Sequence, residues 1–242
     1  MTNLTGEFLG TLVLVVFGGG VVANVLLKQS KGYHAGWLTV ATGWFIAVTM
    51  GVFVAQSAGA PNADINPAIS LAKYCLGIAY NYPQLLITII AQIAGGFTGA
   101  VIVWLAYLPH WRVTDDPIDK LSVFCTVPAI RHYPSNTLTE VIGTTMLVIG
   151  VGAIFGHATS HHPASGLGPY LIGVLVWGIG ISLGGPTGYA INPARDLGPR
   201  LAHALLPIAG KGSSDWAYAW VPIVGPLLGA LLGAIIWHTI FH

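Results

Sequence analysis

Six long apolar stretches limit what this chain of 242 residues can fold into. The hydrocarbon core of a bilayer is about 30 Å thick, and roughly 20 apolar residues in a helix cross it. Helices suit lipid because they pair their backbone groups internally. The expected fold class is therefore an all-α membrane protein with six transmembrane helices. The stretches lie near residues 8–27, 36–56, 84–107, 137–156, 166–185 and 217–240.

The composition agrees with a membrane environment. Charged residues make up only 7% of the chain and apolar residues 54%, which leaves too little polar surface for a soluble globule. The formal net charge is +1 and the basic residues are scattered, so no nucleic-acid partner is expected. Cys75 and Cys125 stand far apart without a metal-ligand pattern, and neither a cofactor nor a metal is expected.

Two further apolar segments, near 66–76 and 192–206, are too short to cross a bilayer. Each begins with the tripeptide Asn-Pro-Ala. Asn is a favoured N-cap and Pro suits the first helical position, so each tripeptide predicts the start of a half-helix. The residues concerned are Asn66, Pro67, Ala68, Asn192, Pro193 and Ala194.

The chain also contains an internal repeat, because Glu-Phe-Leu-Gly-Thr at 7–11 matches Glu-Val-Ile-Gly-Thr at 140–144. Each copy has three full spans, an odd number, so the second copy has the inverted orientation in the membrane. The two half-helices then meet at the midplane. Their positive ends and two Asn amides would repel cations there and donate hydrogen bonds to neutral solutes. We expect a single channel domain over 1–242. Its first half-repeat, connecting loop and second half-repeat cover 1–108, 109–136 and 137–242.

The stretch from Gly184 to Arg200 reads Gly-Gly-Pro-Thr-Gly-Tyr-Ala-Ile-Asn-Pro-Ala-Arg-Asp-Leu-Gly-Pro-Arg. It resembles the second half-loop of the bacterial glycerol uptake facilitators, in the aquaglyceroporin branch of the major intrinsic protein family. The resemblance covers the whole chain and implies an aquaporin-like bundle of six transmembrane helices plus two re-entrant half-helices. It further implies a passive channel for glycerol and water, not an enzyme, and a homotetramer in the lipid bilayer of the cell membrane with cytoplasmic termini.

The same resemblance assigns a narrow filter. Arg195 lies within the first turn of the second half-helix, where a charge is costly unless it faces the lumen or a partner. The family has an Arg of this position in its filter, and the resemblance makes Trp44, Gly180 and Tyr189 the other walls. Gly180 would leave room for a carbon chain where water-selective relatives carry His. Packing or interface roles are the alternative for Trp44 and Tyr189.

Several other functions are also compatible with the sequence. Lactic acid, dihydroxyacetone, urea and hydrogen peroxide are further neutral solutes that such a channel could carry. An ion-coupled secondary transporter also uses broken helices, and would need Glu7 or Glu140 as a coupling group. The resemblance implies instead that both glutamates are buried supports that accept hydrogen bonds from the half-loops. Most Lys and Arg residues would lie on the outer side, against the positive-inside rule.

Some positions depart from the family pattern or stand outside it. Asp64 occupies a position where the family usually has His, and we expect it to be an exposed turn residue; repulsion of carboxylates is the alternative. Asp196 and Arg200 are spaced to pair on one helix face. Three histidines before the fifth span are interpreted as solvent-facing, not as a metal site. They are His157, His161 and His162.

Overall fold

A computed structural model of the chain describes residues 2–155, 163–164 and 166–240. The regular structure in these ranges is entirely helical. The helices are α1 Thr2–Leu26, α2 Trp37–Ser57, α3 Pro67–Cys75, α4 Tyr82–Ala106, α5 His110–Val113, α6 Pro117–Phe124, α7 Tyr133–Phe155, α8 Leu167–Leu183, α9 Pro193–Leu205 and α10 Val221–Ile240.

The predicted order of long and short helices is confirmed. Among the described residues, five helices are long and apolar enough to cross a membrane: α1, α2, α4, α7 and α10. The predicted fifth span is α8, an apolar helix of 17 residues, which at 1.5 Å per residue reaches about 25 Å. That length is at the lower limit for a spanning helix.

The connection after α4 is more ordered than the expected loop, because it contains the short helices α5 and α6. Asp116 caps α6 by accepting a hydrogen bond from Ile118 N at 2.7 Å, and Pro117 takes the first helical position. Lys28 Nζ, in the turn after α1, donates to Asp115 Oδ2 at 2.5 Å, and this hydrogen bond lowers the pKa of Asp115. The connection is thereby tied to the turn after α1.

Close contact between the long helices depends on glycine. A Cβ atom at Gly95 in α4 would lie 2.2 Å from the Phe8 carbonyl oxygen in α1, and one at Gly229 in α10 would lie 2.5 Å from that of Val141 in α7. Backbones this close leave no space for any side chain. The helix pairs α1 with α4 and α7 with α10 therefore occupy equivalent places in the two halves.

The half-helices α3 and α9 connect the two halves of the bundle. Helix α3 packs against α10, the last helix of the second half, and α9 packs against α4, the last helix of the first half. Each half-helix is thus held by the other half of the chain. This exchange places the two Asn-Pro-Ala starts next to each other.

Candidate pore and filter

The two half-helices begin at one shared point. The Asn66 side chain caps α3 by accepting from Ala68 N at 2.9 Å, and the Asn192 side chain caps α9 by accepting from Ala194 N at 3.0 Å. Pro67 and Pro193 follow as the first helical residues. The amino-terminal ends of both helix dipoles meet in the same region, because each capping Asn also hydrogen-bonds the residue that precedes the other one.

Each cap residue also reaches across to the opposite half-loop. Asn66 Nδ2 donates to the Ile191 carbonyl oxygen and Asn192 Nδ2 donates to the Ile65 carbonyl oxygen, both at 2.8 Å. An amide nitrogen carries two hydrogens, so each side chain keeps one for another acceptor. Both amides line a cavity of about 580 Å³. The pair can therefore offer two hydrogen-bond donors to a molecule inside that cavity.

The backbone before each Asn follows an unusual path. Ala63 and Ile65 have φ of 43° and 45°, and Tyr189 and Ile191 have φ of 39° and 41°. These residues stand three and one positions before Asn66 and Asn192. A β-branched residue in the left-handed region is strained, and such strain persists only where the surroundings impose it.

Two buried glutamates hold the backbone before each Asn in this strained conformation. Glu7 accepts hydrogen bonds from Asp64 N at 2.8 Å and Ile65 N at 2.7 Å. Glu140 accepts from Ala190 N at 3.0 Å and Ile191 N at 2.8 Å. Each carboxylate takes a third donor, Gln92 Nε2 at 2.8 Å for Glu7 and Thr187 Oγ1 at 2.7 Å for Glu140. Two carboxylates from the start of α1 and α7 thus hold the strained turns.

Arg195 and Trp44 are stacked on each other. The Arg195 guanidinium carbon lies 4.1 Å from the centre of the Trp44 ring, and both residues are buried. Trp44 fits there because Gly18 faces it from α1, where a Cβ would lie 2.3 Å from the indole. The Arg195 guanidinium is planar and carries five donors, so stacking on the ring leaves its edge free for hydrogen bonds.

Tyr189 packs against Gly180, which differs from the open space expected beside this glycine. A Cβ at Gly180 would lie 2.6 Å from Tyr189 Cζ, so the tyrosine ring, not open space, occupies the room beside the glycine. The Tyr189 hydroxyl is buried and has no hydrogen-bond partner among the described residues. Gly180 therefore leaves room for this ring beside α8.

Two cavities meet at these side chains. The larger one, of about 580 Å³, runs from the two Asn residues toward Lys73, and a second one of about 420 Å³ lies on the other side. Trp44, Tyr189 and Arg195 line both cavities. These three residues therefore lie between the two cavities.

The expectation that Asp64 is an exposed turn residue is wrong. Its side chain is fully buried and accepts from Ser70 Oγ at 2.8 Å, Tyr80 Oη at 2.6 Å and Lys73 Nζ at 2.5 Å. Lys73 also donates to the Asn62 carbonyl oxygen at 3.2 Å. The donors come from α3 and from the turn after it. The composition of the loop around Asp64 predicted exposure because these partners lie outside that loop.

The predicted pair of Asp196 and Arg200 is present, with Arg200 Nε donating to Asp196 Oδ1 at 2.9 Å. Asp196 Oδ2 also accepts from the backbone and hydroxyl of Thr126 at 2.8 and 2.7 Å, and Arg200 donates to the Ser214 carbonyl oxygen at 2.7 Å. The pair thus ties α9 to the connecting loop and to the segment before α10. Sequence spacing gave no signal for these two longer links.

His157, His161 and His162 lie outside the described residues. Within the described ranges, no group of three or more His, Cys, Asp or Glu side chains is arranged to hold a metal ion.

The chain is similar to known membrane proteins over almost its whole length. The family described as Major intrinsic protein matches residues 1–237. The chain belongs to the major intrinsic protein family. It is 54% identical over 226 residues to a probable glycerol uptake facilitator protein of Thermotoga maritima, covering 93% of each chain. It is 40% identical over 220 residues to a D/L-lactic acid transporter of Lactiplantibacillus plantarum, covering 89% of this chain and 87% of that one.

Among solved structures, the chain is similar to the aquaglyceroporin from Plasmodium falciparum, with a TM-score of 0.87 and 26% identity. The similarity covers 99% of this chain and 96% of that chain. The expected all-α, aquaporin-like fold is therefore confirmed, and the chain is a multi-pass membrane channel protein and not an enzyme.

Proposed function

We propose that this protein is a passive channel for small uncharged solutes, with glycerol as the main solute and water as a second. The observation that carries the proposal is the meeting of Asn66 and Asn192 in a cavity next to a second cavity, with Trp44, Tyr189 and Arg195 lining both. We infer that these three side chains form a constriction between two halves of one path. A path of this kind needs no moving part to admit a small molecule.

Cations are excluded by the charge on the path. The two half-helices present their positive dipole ends where the Asn caps meet, and Arg195 adds a full positive charge at the constriction. A cation at the caps would also meet amide N–H groups, which are donors and cannot replace its hydration shell. Protons relayed along a water chain face the same positive potential, so the channel conducts neutral molecules only.

The constriction favours a polyol. The Tyr189 ring and the exposed part of the Trp44 indole offer apolar surface to CH groups, while the edge of the Arg195 guanidinium donates hydrogen bonds to hydroxyl oxygens. Glycerol has one apolar edge and one edge of hydroxyls, and so matches both kinds of group. Lactic acid in its neutral form is the second candidate, because it is of similar size and a relative 40% identical is named for its transport.

Roles for the site residues follow from this reading. Asn66, Asn192 and Arg195 bind the solute, and Trp44, Gly180 and Tyr189 shape the filter. Glu7 and Glu140 support the half-loops and do not carry protons, since the donors on each carboxylate include two backbone amides of its own half-loop. Pro67, Ala68, Pro193 and Ala194 start the half-helices.

The proposal also covers the domain organisation, the assembly and the orientation of the protein in the membrane. Residues 1–242 form one channel domain, in which 109–136 connects the half-repeats 1–108 and 137–242. The protein assembles as a homotetramer in the plasma membrane, with both termini in the cytoplasm, as the glycerol facilitators that it resembles imply.

The test is solute-driven swelling of proteoliposomes over a panel of water, glycerol, urea and neutral lactic acid. Wild-type protein should conduct glycerol fastest among the solutes. Gly180→His should reduce glycerol flux by about tenfold or more and water flux much less, because the imidazole displaces Tyr189 and narrows the constriction. Equal loss of glycerol and water would contradict the filter assignment.

A matched control lies on the same helix. Gly178 is also in α8, but a Cβ there would meet no atom within 4 Å. Gly178→His should leave the ratio of glycerol to water flux at the wild-type value. A changed ratio in this variant would mean that any added bulk on α8 disturbs the pore.

A further inference from the structure

Trp37, the first residue of α2, lies beside the filter without being one of its assigned walls. It stands seven residues before Trp44, which is two helical turns, so both indoles project from the same face of α2 about 10 Å apart along the axis. Trp37 lines the second cavity, of about 420 Å³. A solute that crosses the constriction therefore passes both tryptophans.

Trp37 contacts the facing wall directly. Its Nε1 donates to the Gly180 carbonyl oxygen at 3.0 Å, and its ring meets the Tyr189 ring edge-on, with 5.7 Å between centres and 80° between planes. It also fills the space beside Gly184, where a Cβ would lie 2.7 Å from its Cζ2 atom. One side chain thus holds the end of α8 and the tyrosine at the constriction.

Tyr189 depends on such packing for its position. Its backbone has a φ of 39°, and its hydroxyl has no hydrogen-bond partner among the described residues. The ring rests on Gly180 and Gly184, which have no side chains to hold it. Trp37 is therefore a neighbour whose loss would leave empty volume next to the ring.

We propose that Trp37 is a specificity-determining residue, which sets the size limit of the solute by holding Tyr189 at the constriction. It acts through Tyr189 and is a positioning residue, and this inference rests on the proposed channel function. Removing the indole opens space on the second-cavity side of the ring. Tyr189 then tilts away from Arg195, the aperture widens, and a four-carbon polyol gains more than glycerol does.

The experiment compares wild type, Trp37→Ala, Trp37→Phe and the control Trp216→Ala in proteoliposomes of equal protein content. Trp216 is about as exposed as Trp37, at 48% against 42%, and lines neither cavity. The readout is the ratio of erythritol to glycerol flux, with water measured in parallel. A purely structural defect lowers all fluxes together and leaves this ratio unchanged.

Trp37→Ala should raise the ratio by about threefold or more. Trp37→Phe keeps the edge contact but loses the hydrogen bond to Gly180, and should raise the ratio less. Trp216→Ala should match wild type. An unchanged ratio in Trp37→Ala, or in Trp37→Phe should the alanine variant fail to insert, overturns the inference. Absence of glycerol flux in wild type would overturn the proposed function as well, whereas normal wild-type flux with unchanged ratios overturns the Trp37 inference alone.

Discussion

The first and second half-loops share one scaffold and differ in chemistry. In both, an Asn caps a half-helix, the residues three and one before it have positive φ, and a buried Glu accepts the backbone N–H groups. Three residues after the Asn, however, the first half has Ile69 and the second has Arg195. Both side chains line the larger cavity.

This difference teaches that symmetry builds the pore and asymmetry selects the solute. Two matched turns are needed to bring two helix ends to one point, so the supporting contacts repeat. A filter needs a charge on one side only, because a second Arg at position 69 would add repulsion and fill the path. Ile69 makes that wall of the larger cavity apolar, and the Arg195 guanidinium is the only one of the two side chains that adds a charge.

The ion pairs next to the half-helices differ as well. In the first half Lys73 pairs with Asp64 inside the same loop and half-helix, and its side chain is 20% exposed. In the second half Arg200 pairs with Asp196 along α9, both essentially buried. The first pair connects a half-loop to the half-helix that follows it, whereas the residues of the second pair also connect their half-helix to segments far away in the chain.

The largest effect is expected from the shared part of the scaffold. Glu7→Gln and Glu140→Gln each replace one accepting oxygen by an amide NH2 that faces backbone donors, which should cost about 3 kcal/mol of unfolding free energy because a buried N–H group loses its acceptor. The measurement is unfolding in detergent followed by tryptophan fluorescence, with the part-exposed Asp119→Asn as control. The two losses should agree within about 1 kcal/mol. A loss confined to one glutamate would break the comparison.

A smaller effect is expected from the first-half ion pair. Asp64→Asn and Lys73→Met should each cost about 2 kcal/mol, less than for a fully buried pair because Lys73 reaches solvent. In a double-mutant cycle, the double variant should lose less than the sum of the single losses. Additive losses would mean that the two side chains do not stabilise each other. The ratio of glycerol to water flux should stay unchanged, since neither side chain touches the constriction.

Local patterns predicted the helices and the caps of this protein well. Apolar length marks the spans, and Asn-Pro marks the half-helix starts, because those signals depend on neighbouring residues only. The i, i+4 spacing likewise predicts the contact of Asp196 with Arg200. What could be predicted of the filter came from resemblance, since Trp44 and Arg195 are far apart in the chain.

The inverted repeat predicts that the half-helices meet, but the individual hydrogen bonds between the halves could not be predicted. The hydrogen bond of Asn66 to Ile191 spans 125 positions, and the left-handed conformation of Ile65 and Ile191 runs against the preference of β-branched residues. Asp64 looks exposed by its loop composition and is buried by partners that only the folded chain supplies. These features depend on tertiary packing, which overrides local preference at such strained sites.

The most direct test of the account records glycerol entry and internal pH in the same proteoliposomes, under an imposed proton gradient. If two helix ends and Arg195 make a pore for neutral molecules only, glycerol equilibrates through the protein while internal pH changes no faster than in protein-free liposomes. Proton entry that rises with the amount of reconstituted protein, or glycerol entry that requires the proton gradient, would contradict it.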